Sequence, residues 1–461
     1  MIRQRRNTLI AFISGLVLFA LGLPRFSASA AQVETNTPIE HFVVVMQQNH
    51  TFDNYFAAYP RSEGLPADTC LPTSISETSE ANSECVAPFA ISDQPISDLS
   101  HTSDVFHDQY RDGNMDGFVA ALNDRHQDGT LSVGHYDENN LSYYWNLADE
   151  YVLFDRYFTS AHSGSIMNRM FWVSGSPGNG INRIPVTGFE DIPTIFDALQ
   201  ERGISWKFYV KNYDPNLNYR SLEELDYLPP QVQWIPLSSM DRFIDDPELS
   251  SHIVDLDEYY SDLENNTLPA VSYVLLLGAT EHPLADIKLG QRTVRTMIQT
   301  LMQSDAWERS AFLLTYDDWG GWYDHVPPPV VDEYGYGFRV PTLLVSPYAR
   351  RGYLDHTQLD HTSILKFIES NWDIPPLAER DANANNLTSA FDFESPPREP
   401  VFISGTREPP KPEVEPQTIV IYATYGAAML FALLTFVRGI LSGRYPFNRP
   451  PQEAVHSSEE L

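Results

Sequence analysis

The chain has 461 residues, with 62 acidic against 30 basic side chains, a formal charge of −32, 42% hydrophobic and 12% aromatic content. That apolar content supplies a packed core and excludes a disordered, collagen-like or coiled-coil chain. The negative balance argues against a nucleic-acid binder, which needs cations to replace phosphate counterions, so an anionic ligand must meet a local cation.

In chain order, the first thirty residues combine Arg3, Arg5 and Arg6, an uncharged run from Thr8 to Leu23 and the small-x-small triplet Ala28-Ser29-Ala30. This is the layout of a secretory signal cleaved after Ala30. Phe42 to Met46 is a continuous apolar run that predicts a strand, followed by Gln47-Gln48-Asn49-His50. Cys70 and Cys85 are the only two cysteines, and in an oxidising compartment they predict one disulfide. Gly164-Ser165-Ile166-Met167-Asn168-Arg169 enters an apolar helix-like stretch. Ser165 there reads either as an N-cap or as a nucleophile at a helix end whose free N–H groups hold phosphate, with Asn168 and Arg169 one turn on.

Thr194 to Arg202 ends at Gly203 as a short helix, Trp206 to Val210 and Val271 to Leu277 read as strands, and Val294, Met297, Ile298, Leu301 and Met302 recur at helical spacing. Phe312 to Tyr316 and Thr342 to Val345 complete the strand series. Apolar runs of this kind are buried on both faces, so the expected fold is α/β, a doubly wound, mostly parallel sheet flanked by helices, forming one domain over residues 37–405. Ligands in such sheets bind beyond the carboxyl ends of the strands, where Asn49, Glu281-His282 and Asp317-Asp318 lie. Two adjacent aspartates at a strand end can reach one hard divalent cation, although Asp-Asp before Gly320-Gly321 also suits a plain solvated turn. His101, His282, His325 and His361 all sit in polar surroundings.

Residues 406–417 form a Pro-rich charged spacer, and Thr418 to Val437 is a twenty-residue uncharged run long enough to cross a bilayer as a helix. Arg438, Arg444 and Arg449 follow it, which places the 438–461 tail in the cytoplasm and the domain outside, a single-pass type I arrangement in the cell membrane.

The segments Ile39 to Asp53, Gly164 to Arg169, Tyr316 to Pro329 and Asp360-His361-Thr362-Ser363 resemble, in order, the signature blocks of the phosphoesterase family of bacterial phospholipases C and acid phosphatases, within the alkaline phosphatase superfamily. The resemblance implies an alkaline-phosphatase-like fold and one divalent metal ion of the Ca, Mg or Mn type. Its ligands fall on Gln48, Asn49, Ser165, Asp317 and Asp318. It implies Ser165 as a nucleophile that becomes a phosphoserine, His282 or His325 as proton donor, and His101, Asn168, Arg169 and His361 around the substrate phosphate. The expected substrate is a phosphate ester or a phospholipid headgroup.

The chain departs from the family where the first block carries Glu, then Arg and Ser: here stand Gln48, His50 and Thr51. Gln48 still offers an oxygen but removes a negative charge, and this leaves open a catalytically degenerate surface binding protein on the same scaffold. Ser163 also precedes Gly164 without the family's proline.

Overall fold

A computed structural model describes residues 34–75, 84–92, 96–407 and 416–442. Eight strands form one mixed sheet: β1 (His41–Gln47), β2 (Val152–Phe154), β3 (Trp206–Val210), β4 (Ile253–Asp255), β5 (Val271–Leu275), β6 (Ser310–Tyr316), β7 (Thr342–Val345) and β8 (Tyr353–Asp355). They lie in the order β8-β2-β7-β6-β1-β5-β3-β4. Pairing is parallel from β6 through β1, β5 and β3 to β4, whereas β7 runs antiparallel to both β6 and β2. The sheet is therefore mostly parallel, as expected. Thr342 to Val345 differs from that expectation, because a fully buried apolar run carries no signature of strand direction.

β1 lies at the centre, and every residue from Phe42 to Gln47 is fully buried. Its apolar side chains face helices on both sides of the sheet, each contributing ~1.5–3 kcal/mol by burial. The register pairs His41 with Ser310 and Gln47 with Tyr316, so β1 and β6 end level with one another. Asp317 N–H then donates to the Gln47 carbonyl at 3.2 Å, and Gln48 N–H to the Thr280 carbonyl at 3.0 Å. Three strand ends thus deliver Gln48-Asn49, Asp317-Asp318 and Glu281-His282 to one edge of the sheet.

Four helices matter for that edge: α1 (Ser165–Ser174), α2 (Pro230–Trp234), α3 (Ile287–Gln303) and α4 (His361–Asn371). α3 is capped by the Asp286 side chain on Lys288 N–H, and Val294, Met297, Ile298, Leu301 and Met302 are its buried stripe, as their spacing predicts. The short helix from Ile195 to Glu201 is closed by a reciprocal Thr194–Asp197 capping box. A second, smaller core gathers Leu71, Phe106, Phe118, Val133, Trp319 and Phe338 beneath the turn that follows β6.

The chain divides into two compact units, residues 1–408 and 409–461. In the first unit, Arg407 at the start of the expected spacer pairs with Glu138 at 2.9 Å and Asp149 at 2.5 Å. The second contains the helix Pro416–Leu441, of which Val420–Leu441 has a mean hydropathy of 1.9 and no buried residue. The signal segment expected over residues 1–30 lies outside the described residues.

Cys70 and Cys85 are joined in a disulfide, as their number predicts, across a separation of 15 residues. A loop of that length contributes ~3 kcal/mol in the chain-entropy model. Replacing both cysteines by serine should lower the unfolding midpoint by several degrees, and a reductant should reproduce the shift in the wild type but not in the variant. Equal midpoints with and without reductant would show that the bridge adds nothing.

Candidate active site

Asp317 and Asp318 leave β6 fully buried and side by side. The chain must turn at once, and Gly320 makes this possible with φ 61°; a Cβ there would lie 2.4 Å from the Asn49 carbonyl oxygen. Asn49 itself has φ 67°, a left-handed conformation that asparagine tolerates better than most residues. Its Nδ2 donates to Asp318 Oδ1 at 3.2 Å and to His101 Nε2 at 2.9 Å. That leaves Asn49 Oδ1 buried without a partner among the described residues.

Ser165 completes the arrangement. Its Oγ donates to Asp318 Oδ2 at 2.8 Å. Ser165 is not the N-cap of α1: Gly164 is, and it makes no side-chain cap. The capping oxygen comes instead from Asn182, which accepts from the N–H groups of Ile166 at 2.9 Å and Met167 at 3.2 Å. A Cβ on Gly164 would sit 2.7 Å from the Asn182 amide, so glycine lets this cap approach. Capping from outside the helix leaves the Ser165 hydroxyl free for Asp318. No local pattern around Asn182 announces this task.

Behind these groups lies Arg169, one turn along α1. Its Nε donates to Asp317 Oδ2 at 2.9 Å, with both side chains wholly buried. Nη1 donates to the Trp234 carbonyl at 3.0 Å. With its amide oriented to satisfy its neighbours, Gln48 accepts from Arg169 Nη2 at 3.3 Å and Trp234 Nε1 at 3.1 Å, and donates to Thr280 Oγ1 at 3.1 Å. Asn168 is turned back on the preceding loop: it accepts from Ala161 N–H at 2.9 Å and donates to the carbonyls of Ser163 and Gly164 at 2.7 and 3.2 Å. His361, first residue of α4, reaches the Asp317 carbonyl through Nε2 at 3.2 Å; burial above all lowers its ring to about 4, so it is neutral.

Burial, then the neighbouring Asp317 charge, raises Asp318, while His101, the Ser165 hydroxyl and Gly320 N–H oppose the shift. Burial alone would lower His101, but the charges of Asp318 and Asp98 outweigh it and its value rises. His101 Nδ1 donates to the Leu99 carbonyl at 2.6 Å, which directs Nε2 toward Asn49. His282 donates from Nδ1 to the Pro283 carbonyl at 3.0 Å, and its ring lies 6.3 Å from that of His101. A cleft of about 360 Å³ opens over this group, lined among others by Asp98, His101, Ser165, Asn182 and Gln233.

The profile of the Phosphoesterase family matches residues 39–375, a span that includes every group named above. The chain belongs to the phosphoesterase family. Phospholipase C B of Mycobacterium tuberculosis is 28% identical over 420 residues, covering 78% of this chain and 79% of its own. Non-hemolytic phospholipase C of Burkholderia pseudomallei is 27% identical, covering 86% and 66%, and non-specific phospholipase C1 of Arabidopsis thaliana is 28% identical, covering 78% and 72%. Among solved structures, an alkaline phosphatase superfamily protein from Vibrio parahaemolyticus has a TM-score of 0.37 at 11% identity, covering 77% of this chain and 73% of its own. As a member of this family the protein is a hydrolase of phosphoric esters.

The phosphoesterase holds His325 in a different setting from the other expected site histidines. Its Nδ1 meets Asp53 Oδ2 at 2.6 Å, while Arg339 bonds Asp53 at 3.0 Å and Asp324 at 2.9 Å, with all but His325 essentially buried. This network clamps the segment after β1 to the one after β6, and among the described residues none of its hydrogen bonds reaches Ser165 or the aspartate pair. Burial would lower His325, but the bond to Asp53 and the charges of Asp53 and Asp324 raise it overall.

A raised folded value stabilises the protein fully below the ordinary 6.5, and the contribution is lost as pH rises through the folded value. His325→Gln should therefore lower the melting temperature most on the acid side of that window, with the deficit shrinking above it. A deficit independent of pH would rule out the charged pair. Separately, Gly320→Ala forces a side chain into left-handed backbone against Asn49, and should cost about 1–3 kcal/mol in denaturant unfolding together with most of the turnover.

Proposed function

We propose that this membrane-tethered phosphoesterase cleaves phosphate esters through Ser165, with a phosphoserine intermediate. The observation that carries the reading is the Ser165 hydroxyl at 2.8 Å from Asp318, beside a buried, unpartnered Asn49 Oδ1. Asn49 Oδ1, Ser165 Oγ and the carboxylates of Asp317 and Asp318 are hard oxygen donors, a set that fits a Ca, Mg or Mn type ion. A divalent cation bound there would supply a Lewis acid that favours the serine alkoxide and polarises a phosphoryl oxygen. Gln48 is the least suited of the five expected ligands, because its oxygen already accepts from Arg169 and Trp234.

In this mechanism Asp318 Oδ2 holds the proton of the Ser165 hydroxyl as Oγ attacks phosphorus. The Oγ–P bond forms and the ester P–O bond breaks. The departing alkoxide takes a proton from His282, which we favour over His325 because His325 is held by Asp53. Water then attacks phosphorus and gives a proton to His282, the Oγ–P bond breaks, Ser165 Oγ regains its proton from Asp318, and the phosphate product leaves. The His101 ring lines the cleft and holds Asn49 in place, while Asn168, Arg169 and His361 act behind the substrate, on the backbone and carboxylates that meet it. Positioning and charge stabilisation supply most of the rate, as in phosphoryl transfer generally.

The relatives named as phospholipases C favour a phospholipid diester over a soluble monoester as the substrate. The apolar helix Pro416–Leu441 supports a single-pass anchor, and the disulfide supports an extracytoplasmic domain. Purified protein assayed with p-nitrophenyl phosphate and p-nitrophenylphosphorylcholine, with several divalent ions, separates the possibilities. Hydrolysis of the second assigns a phospholipase type, of the first alone a phosphatase. Hydrolysis of neither favours the binding protein that Gln48 leaves open.

Ser165→Ala should abolish turnover, by about 10³-fold or more, while divalent-ion binding persists in calorimetry. Retained hydrolysis would remove Ser165 from the nucleophile role. Gln48→Glu restores a carboxylate facing Arg169, and should shift the activity titration to lower divalent-ion concentration; an unchanged midpoint would show that position 48 does not contribute to the cation site.

A further inference from the structure

Glu281 is 1% exposed, and four side chains converge on its carboxylate. Tyr144 donates to Oε1 at 2.5 Å, Tyr316 and Tyr55 to Oε2 at 2.6 and 2.8 Å, and Gln47 Nε2 to Oε1 at 3.2 Å. Its backbone is held as well: His50 Nε2 donates to the Glu281 carbonyl at 2.9 Å, and Gln47 Nε2 to that of Ala279 at 3.0 Å. Space is reserved for it, since a Cβ at Gly290 of α3 would lie 2.2 Å from Glu281 Cγ. Glu281 nevertheless has φ 66°, and Leu284 three residues on has φ 79°, both left-handed and unfavourable for residues with a side chain.

A buried carboxylate is costly, and an apolar side chain would fill the same core space with less penalty. What the carboxylate adds is direction. The next residue is His282, whose ring lies 6.3 Å from that of His101, which lines the cleft. Three phenols drawn from separate segments, Tyr55, Tyr144 and Tyr316, fix the residue before it in a conformation it would not otherwise hold.

We infer that Glu281 is a positioning residue for His282, its three-tyrosine clamp holding the strained turn that aims the imidazole at the ester oxygen leaving phosphorus. The inference rests on the reading of His282 as the proton donor. Glu281 touches no substrate atom.

The test uses the full-length protein in detergent and two phosphate esters of the class that the wild type hydrolyses, monoester or phosphocholine diester: the p-nitrophenyl ester, whose leaving group departs without a proton, and a simple alkyl ester, whose leaving group needs one. Glu281→Gln should lower kcat on the alkyl ester by at least about tenfold, and on the aryl ester by no more than about twofold, with KM changed little on either. In a His282→Ala background the same substitution should add no further loss on the alkyl ester. Tyr144→Phe, which removes one hydroxyl, should show the same split at smaller size and carries the test if Glu281→Gln does not fold. Equal losses on both esters, or an undiminished effect without His282, would overturn the inference and make the cluster a support of the core alone. A wild type inactive on monoesters and phosphocholine diesters alike would instead remove the proposed function on which it rests.

Discussion

Two carboxylates that leave one strand side by side, both sealed from water, are an unstable arrangement unless something answers their charge. The Arg169–Asp317 pair does so. With no solvent to screen it, the guanidinium neutralises one aspartate, and the other is left to hold a serine hydroxyl and an asparagine amide. Removing either partner of such a pair typically costs 3–5 kcal/mol, because the survivor is left buried and unpaired. The pair also couples the end of β6 to the first turns of α1, so the strand edge and the residue expected to react are set by one contact. Gln48 shares this guanidinium, and with Asp317 and Asp318 against Arg169 the cluster carries one net negative charge; a glutamate at position 48 would make it two. The site of this chain is therefore less anionic than the family pattern implies, and any cation drawn to it is attracted less strongly.

Much of the sheet was legible because its central strands are short, nearly continuous apolar runs bounded by polar residues, buried along almost their whole length. Strands of three residues, Val152–Phe154, Ile253–Asp255 and Tyr353–Asp355, carry too little pattern to be separated from loops. The reversal of β7 was illegible for another reason: direction is decided by the connections at its ends. The expected disulfide required only a count and a compartment.

In the site, Ser165 and the two aspartates were found through ordered motifs, and the fold brings them within hydrogen-bonding distance of a shared chain of atoms. Side-chain facing was less accessible. A histidine after aspartate looks alike at positions 325 and 361, yet one ring enters a clamp with Asp53 and Arg339 while the other supports the Asp317 backbone. Asn168 sits beside the motif serine in sequence, but its amide is taken up by the loop behind it. The two histidines are set by partners 272 and 44 residues away, and Asn168 by the turn its own loop makes, neither of which motif spacing encodes.

The cap that Asn182 gives to α1 has a wider implication. Asn182 lies between Ile181 and Arg183, both exposed, on a connecting segment that packs little of its own core. The height of the reactive oxygen above the sheet is thus answerable to a stretch of outer surface, where insertions and exchanges are tolerated far more readily than in the interior. Over evolutionary time this gives the lineage a dial: catalytic geometry can drift by small amounts through changes at the periphery, without disturbing any group that does the chemistry.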